Sequence, residues 1–254
     1  VTTRDYIAAI LLALALQAVV AAAATPERAR PANEARVVIE PTTHTVLVRS
    51  TTETLADVRA KIADRIARID TVRCEIEMSK KRDKKITRKV YTGPLTIARG
   101  RGGRVVLERK GEIEEYIANA RELWSWDHKK KQAYVLPVNS PIIGFFVAEA
   151  LKFNAFLAMD EDTIEFLGYQ ATDGEWCWVF EGKSPSRLRF VGVPVRKMRV
   201  WVSPADGLPR EIRIPQEKDL TIVLRHIVIN APVSDDEFKG PSSDGVKVKK
   251  VLGL

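Results

Sequence analysis

The sequence has little of what enzymes use for chemistry. Histidine occurs three times in 254 residues, as His44, His128 and His226. None of them has a second ligand at metal-binding spacing. His226 interrupts the apolar side of a strand-like stretch and reads as an interior histidine, whereas His128 sits in a basic, solvated turn. There is no Gly-x-Ser-x-Gly turn, phosphate-binding loop or Cys–His arrangement. Glycines cluster at Gly100-Arg101-Gly102-Gly103, but this stretch links two strands instead of opening a helix, so it is a poor phosphate cradle. Asp160, Glu161 and Asp162 read as a loop of solvated carboxylates. No catalytic constellation, metal site or cofactor motif emerges, which argues against an enzyme.

Cysteine is equally scarce. Cys74 shares its parity with Val72, Ile76 and Met78, which points to a buried free thiol. A bridge to Cys177 stays open, because sequence does not give the Cα separation that a disulfide requires.

The start of the chain is short of charge. From Ile7 to Ala24 every residue except Gln17 is apolar, Arg4 precedes the run, and Ala21-Ala22-Ala23-Ala24 leads into Thr25-Pro26-Glu27. A basic start, an apolar middle and a small-residue exit predict a signal peptide over 1–24 and a periplasmic mature protein. Retention as a membrane anchor is the alternative, since 18 apolar residues approach a bilayer span. Residues 25–50 read as a linker with a short extended segment, and 51–254 as the folded domain. The net charge is +8. Export removes nucleic acid as a partner, leaving anionic head groups, an acidic protein or plain solubility to account for the excess.

What is present is periodic apolar patterning. Leu55, Val58, Ile62, Ile66 and Ile69 recur at spacings of three and four, predicting an amphipathic helix over 55–69. Thr54 stands at its N-cap with Asp57 three residues on. From Thr71 the period becomes two, predicting strands at 71–79, 86–99, 103–109, 113–118, 122–126 and 132–138. Gly93-Pro94 marks a bend or bulge, since proline cannot donate to a central ladder. A second helix is predicted over 142–159, apolar round most of its circumference. Strands resume at 162–171, 175–182, 187–192, 195–203, 208–214 and 219–229. The last is apolar on both faces and so needs cover on both. The fold class is α+β, mainly antiparallel β, around an apolar interior.

Meander parity adds one expectation. Turns one, three and five hold Lys80, Lys81, Lys84 and Lys85, then Lys110, then Lys129, Lys130 and Lys131. They should cluster at one end of the domain as a basic rim suited to peripheral contact with an anionic membrane. Ordinary lysine-rich hairpin tips are the bland alternative.

Three segments resemble the LolA family of periplasmic lipoprotein carriers. They are Gly93-Pro94-Leu95-Thr96-Ile97-Ala98-Arg99, then Tyr116 to Asp127 with its Leu123-Trp124-Ser125-Trp126, and then Asp206-Gly207-Leu208-Pro209-Arg210 with Asp235-Asp236-Glu237-Phe238 and Asp244-Gly245-Val246-Lys247-Val248. The ordered likeness spans roughly 52–250. Departures are Gly100 for the family's proline, Asn119-Ala120 for its Asp-Gly turn, and Phe238-Lys239-Gly240 for its Phe-x-Phe.

The resemblance implies an unclosed β-barrel, a strongly curved sheet whose concave side is covered by helices. It implies carriage of the acyl chains of lipoproteins or other lipids toward the outer membrane, with an inner-membrane exporter and an outer-membrane acceptor as partners. Arg99 matches the family's lid-contacting arginine, with the role of hydrogen-bonding helix or loop carbonyls. Leu95 and Ile97 on the same strand, with Trp124, Trp126, Phe145, Phe146, Phe153 and Phe156, become candidates for the cavity wall, against plain core packing for each. A periplasmic sensor or regulator on the same fold is the alternative function.

Overall fold

The computed structural model describes residues 36–40, 45–49, 53–83, 86–138, 159–183, 197–214, 220–242 and 245–250. The segment 1–24, the helix expected over 142–159 except Met159, and the strand expected over 187–192 lie outside them.

One helix is found among the described residues, α1 (Leu55–Ala67). Its start is the expected capping box. The Asp57 N–H donates to the Thr54 hydroxyl, and the Thr54 N–H donates to the Asp57 carboxylate at 2.9 Å. Two of the donors that every helix start leaves orphaned are thereby satisfied. Val58, Ile62 and Ile66 on α1, and Ile69 just beyond it, are buried. Each such side chain contributes about 1.5–3 kcal/mol when fully removed from water. Asp57, Lys61 and Asp64 are exposed, whereas Arg59 and Arg65 are half-buried.

The strands are β1 (Arg36–Glu40), β2 (Thr45–Arg49), β3 (Thr71–Asp83), β4 (Ile86–Ala98), β5 (Gly102–Arg109), β6 (Glu112–Asn119) and β7 (Glu122–Asp127). There follow β8 (Gln132–Pro137), β9 (Glu165–Thr172), β10 (Glu175–Lys183), β11 (Lys197–Val202), β12 (Pro209–Ile214), β13 (Leu220–Ile229) and β14 (Lys247–Lys250). All fourteen form one sheet in the order β1-β2-β9-β10-β11-β12-β13-β3-β4-β5-β6-β7-β8-β14. Two antiparallel meanders, β3–β8 and β9–β13, meet where β13 pairs with β3. The β1–β2 hairpin joins the sheet through β9, so the short extended segment expected within 25–50 belongs to the fold. The β14 strand pairs in parallel with β8, which makes the sheet mixed. With β1 and β14 as its two ends, the sheet does not close into a barrel.

It does curl. The Arg65 guanidinium lies 5.2 Å from the ring centre of Trp178 on β10. The carbonyl of the next residue, Ile66, accepts from Arg99 at the end of β4. Strands β10 and β4 are five strand spacings apart in the sheet order, about 24 Å in a flat sheet. Two neighbouring helical residues reach both only if the sheet wraps round the helix. The inner face is therefore concave, and α1 lies in it.

At Gly93-Pro94 the β4–β5 ladder skips from Thr92↔Glu108 to Leu95↔Val105. A Cβ on Gly93 would stand 1.9 Å from the Val106 carbonyl oxygen, so only glycine permits this approach.

Candidate functional site

Alternation along the strands divides the side chains between two faces. On the inner face β3 presents Val72, Cys74, Ile76 and Met78, β4 presents Leu95 and Ile97, and β6 presents Tyr116 and Ala118. Beyond β13 the same surface continues through Ile212, Val200, Phe180 and Trp178. Together with the apolar stripe of α1 these residues form one continuous cluster. Polar atoms are sparse in it. Burial pushes the Cys74 thiol up to about 12, so it stays protonated and unreactive near neutral pH. The Tyr116 phenol, also pushed up by burial, donates to Glu114 at 2.9 Å. The Trp178 indole N–H is buried with no hydrogen-bond partner among the described residues, an arrangement that costs about 1–3 kcal/mol. Such a surface suits contact with hydrocarbon. It offers nothing for proton transfer.

Arg99 fastens the helix to this face. Its Nε donates to the Ile69 carbonyl at 2.9 Å, and its Nη2 donates to the carbonyls of Ile69, at 2.5 Å, and Ile66. These carbonyls lie at and just beyond the end of α1, where a cation also meets the negative end of the helix dipole. Asn230 works beside it. Its amide donates to the Arg68 carbonyl at 2.9 Å and its side-chain oxygen accepts from the Asp70 N–H at 2.7 Å. At the other end of α1, Glu53 accepts from the Tyr169 hydroxyl on β9 and from Lys61. Gly207, in the turn before β12, comes close enough that a Cβ would stand 3.1 Å from the Ile62 carbonyl oxygen.

The structure sorts the expected site residues. Leu95 and Ile97 lie on the inner face with α1, both buried. Trp124 and Trp126 do not. Trp124 packs with Ala98, Ile117 and Phe238 on the outer face, and Trp126, two residues on, shares that parity and stacks on His128 with ring centres 3.8 Å apart. The reason is register: Leu123 opposes Leu136 and holds the inner position, which sends its neighbours outward. Phe145, Phe146, Phe153 and Phe156 lie outside the described residues, as do Lys84 and Lys85, while Lys80 and Lys81 are placed by backbone only, in β3. Trp178 and Phe180 were not singled out beforehand, although Trp176, Trp178 and Phe180 alternate with Cys177 and Val179 in plain view.

Three side expectations resolve as well. Cys74 and Cys177 are free and buried, on opposite faces of the sheet. His226 is not interior: it sits at a bulge with φ 51°, three-quarters exposed, 3.1 Å from Glu75. His128 is a third exposed and, with Arg104, flanks the buried carboxylate of Glu115 at 2.8 and 2.6 Å.

The fold and site define an open, curled antiparallel sheet with a helix seated in its concave apolar face. Among solved structures, the chain is similar to an uncharacterized conserved protein from Thermus thermophilus. The two are 13% identical over 75% of this chain and 98% of that one, with a TM-score of 0.50. It is also similar, at TM-scores of 0.38 and 0.40, to a LolA superfamily protein from Nitrosomonas europaea and to the lipoprotein LppX from Mycobacterium tuberculosis. These are 13% and 10% identical, over 70% and 69% of this chain and 96% and 94% of theirs. Likeness at these identities is one of fold. No protein-family model and no curated protein matches the chain. Among the described residues no helix is long and apolar enough to cross a membrane.

Proposed function

We propose that this protein is a periplasmic carrier that shelters the acyl chains of lipoproteins or other lipids between the concave face of its sheet and the helix over it. The observation that carries the reading is the way α1 is held. Its apolar stripe faces a continuous apolar surface, and hydrogen bonds fasten its two ends, Arg99 and Asn230 at one and Glu53 with Tyr169 at the other. A helix held in this manner can lift without dismantling the sheet. Each methylene that then leaves water for the inner face gains about 0.8 kcal/mol. The ordered sequence likeness to the LolA family, including Arg99 at the lid-contacting position, supports the same reading. Export by the N-terminal segment, and hand-over between an exporter and an acceptor, belong to the proposal.

The test is organic extraction of the protein purified from its own host, followed by mass spectrometry. Co-purifying acyl lipid or acylated peptide at near-stoichiometric amount is expected. Lipid-free protein that also fails to bind a fluorescent fatty-acyl probe would remove the carrier reading. A sensor on the same fold, which takes a protein tail instead, would give that second result.

A further inference from the structure

Strands β3 to β8 run alternately up and down with no crossing. The basic β5–β6 and β7–β8 turns therefore share an end, and the β4–β5 and β6–β7 turns share the other; Lys84 and Lys85 of the third basic turn lie outside the described residues. Two of the basic tips abut: the His128 N–H donates to the Ile113 carbonyl at 3.2 Å, and Lys129 pairs with Glu112 at 2.8 Å. The N–H of Lys247, leading into β14, donates to the Lys131 carbonyl at 2.9 Å, which brings a further cation to the same tip.

Backbone conformation supplies a second, independent observation. Lys110 and Lys131 adopt φ of 51° and 49°. Lys110 and Gly111, both at positive φ, are the two central residues of the β5–β6 hairpin. Asn-Gly or Asp-Gly is the preferred sequence there, and lysine has no side-chain reason to take the left-handed region. At two tips of one end, charge has been kept where turn chemistry asks for something else. A local rule broken twice at one place points to function. Both lysines are exposed, and neither has an ion-pair partner among the described residues. At the opposite end Arg101 pairs with Asp235 at 2.8 Å and Arg210 with Asp206 at 2.7 Å, while Arg121 is exposed.

We propose that the end of the sheet built from the β5–β6 and β7–β8 tips docks on an anionic bilayer surface, with Lys110 and Lys131 as its unneutralised contacts. The partner follows from charge complementarity spread over two adjoining hairpin tips. A sheet of negative head groups can meet dispersed, independently exposed ammonium groups without matching a shape. The inference does not depend on which cargo the concave face takes.

The experiment is flotation of the full chain with vesicles of phosphatidylcholine alone or with one-third phosphatidylglycerol, at low and at physiological salt. Binding is expected to the anionic vesicles only and to weaken with salt. Lys110→Asn with Lys131→Asn removes both charges while giving each turn a residue it prefers, so the thermal midpoint should hold or rise. Affinity should fall about five-fold per lysine, about thirty-fold for the pair. The control pair, Arg121→Asn with Lys239→Asn, removes two charges from the opposite end and should leave binding within two-fold. Equal binding to neutral and anionic vesicles overturns the proposal. So does an equal loss in the two double variants, or binding to an acidic protein with none to vesicles. Because the readout is vesicle association and not bound lipid, its failure is distinguishable from failure of the carrier reading.

Discussion

The two faces of the sheet are covered by different means. On the inner face α1 rests on aliphatic and aromatic side chains and is tied by hydrogen bonds at its two ends. On the outer face the segment after β13 crosses β3 to β8 as a strap, fastened along its whole course. Asn230 N–H donates to the Thr71 carbonyl at 2.8 Å, Arg73 pairs with Glu237 at 2.6 Å, Arg101 with Asp235, and Asn119 donates to the Phe238 carbonyl at 3.0 Å. Phe238 seats on Gly102 so closely that a Cβ there would lie 2.3 Å from the ring. Gly240 lies against Trp124 in the same way. β14 then ends the strap as a strand of the sheet. The difference separates a cover that can lift from one that holds the sheet in its curl.

The largest effect expected is on the strap. Phe238→Ala deletes a ring that is 3% exposed, and a truncation of that size in a packed site costs about 3–5 kcal/mol. Denaturant melts should show the loss, and hydrogen exchange should show β14 released first. Lipid bound per folded molecule should stay the same, because the ring touches the outer face. A fall in bound lipid that matches the fall in stability would erase the distinction between the two covers.

Arg99→Leu tests the other cover. Its guanidinium is about one-third exposed, so the loss of its bonds to the Ile66 and Ile69 carbonyls should cost only about 1–2 kcal/mol. Retention of a bound acyl probe should nevertheless change several-fold, since the last turn of α1 is no longer fixed to β4. The comparison predicts opposite orders for the two variants: Phe238→Ala worse in stability, Arg99→Leu worse in retention. Unchanged retention would remove Arg99 from the mechanism.

These two residues also show what could be read in advance. Arg99 was legible through the resemblance alone, which matches it to the lid-contacting arginine of the LolA family. The capping box and the stripe of α1 were legible because local spacing sets them, as it does most strands of both meanders. Phe238 opposite Gly102, and Gly240 against Trp124, join residues more than a hundred positions apart. The Leu123-Trp124-Ser125-Trp126 stretch has the same alternation whichever way it faces, so without the strap its tryptophans looked suited to the concave side. His226 misled for a related reason. It sits among apolar residues in the sequence, but the β13 bulge at that position turns its side chain into solvent. The junction of the meanders through β13 and β3, and the entry of β1 and β2 through β9, follow from long-range pairing that no local pattern encodes.

The smallest effect expected is at the start of α1, the end of the cover farthest from Arg99. The Asp57 carboxylate is held below its ordinary value of 3.8 chiefly by the backbone and hydroxyl hydrogen bonds of Thr54. A carboxylate with a depressed folded value adds stability that is complete above the unfolded value and is lost as pH falls through the folded one. Thr54→Ala breaks the hydroxyl half of the box and should cost about 1 kcal/mol near neutral pH. The gap between this variant and the parent should shrink on acidification below 3.8, as the parent loses the bond from the Thr54 hydroxyl to the ionised Asp57 carboxylate, which the variant lacks at every pH. Hydrogen exchange at the Asp57 and Val58 amides should quicken while Ile66 stays protected, because Arg99 and Asn230 hold the far end. If the acyl probe also leaves faster, the cover opens from its Thr54 end and pivots near Asp70. An unchanged release rate, with the first turn demonstrably frayed, would place the moving part elsewhere over the concave face.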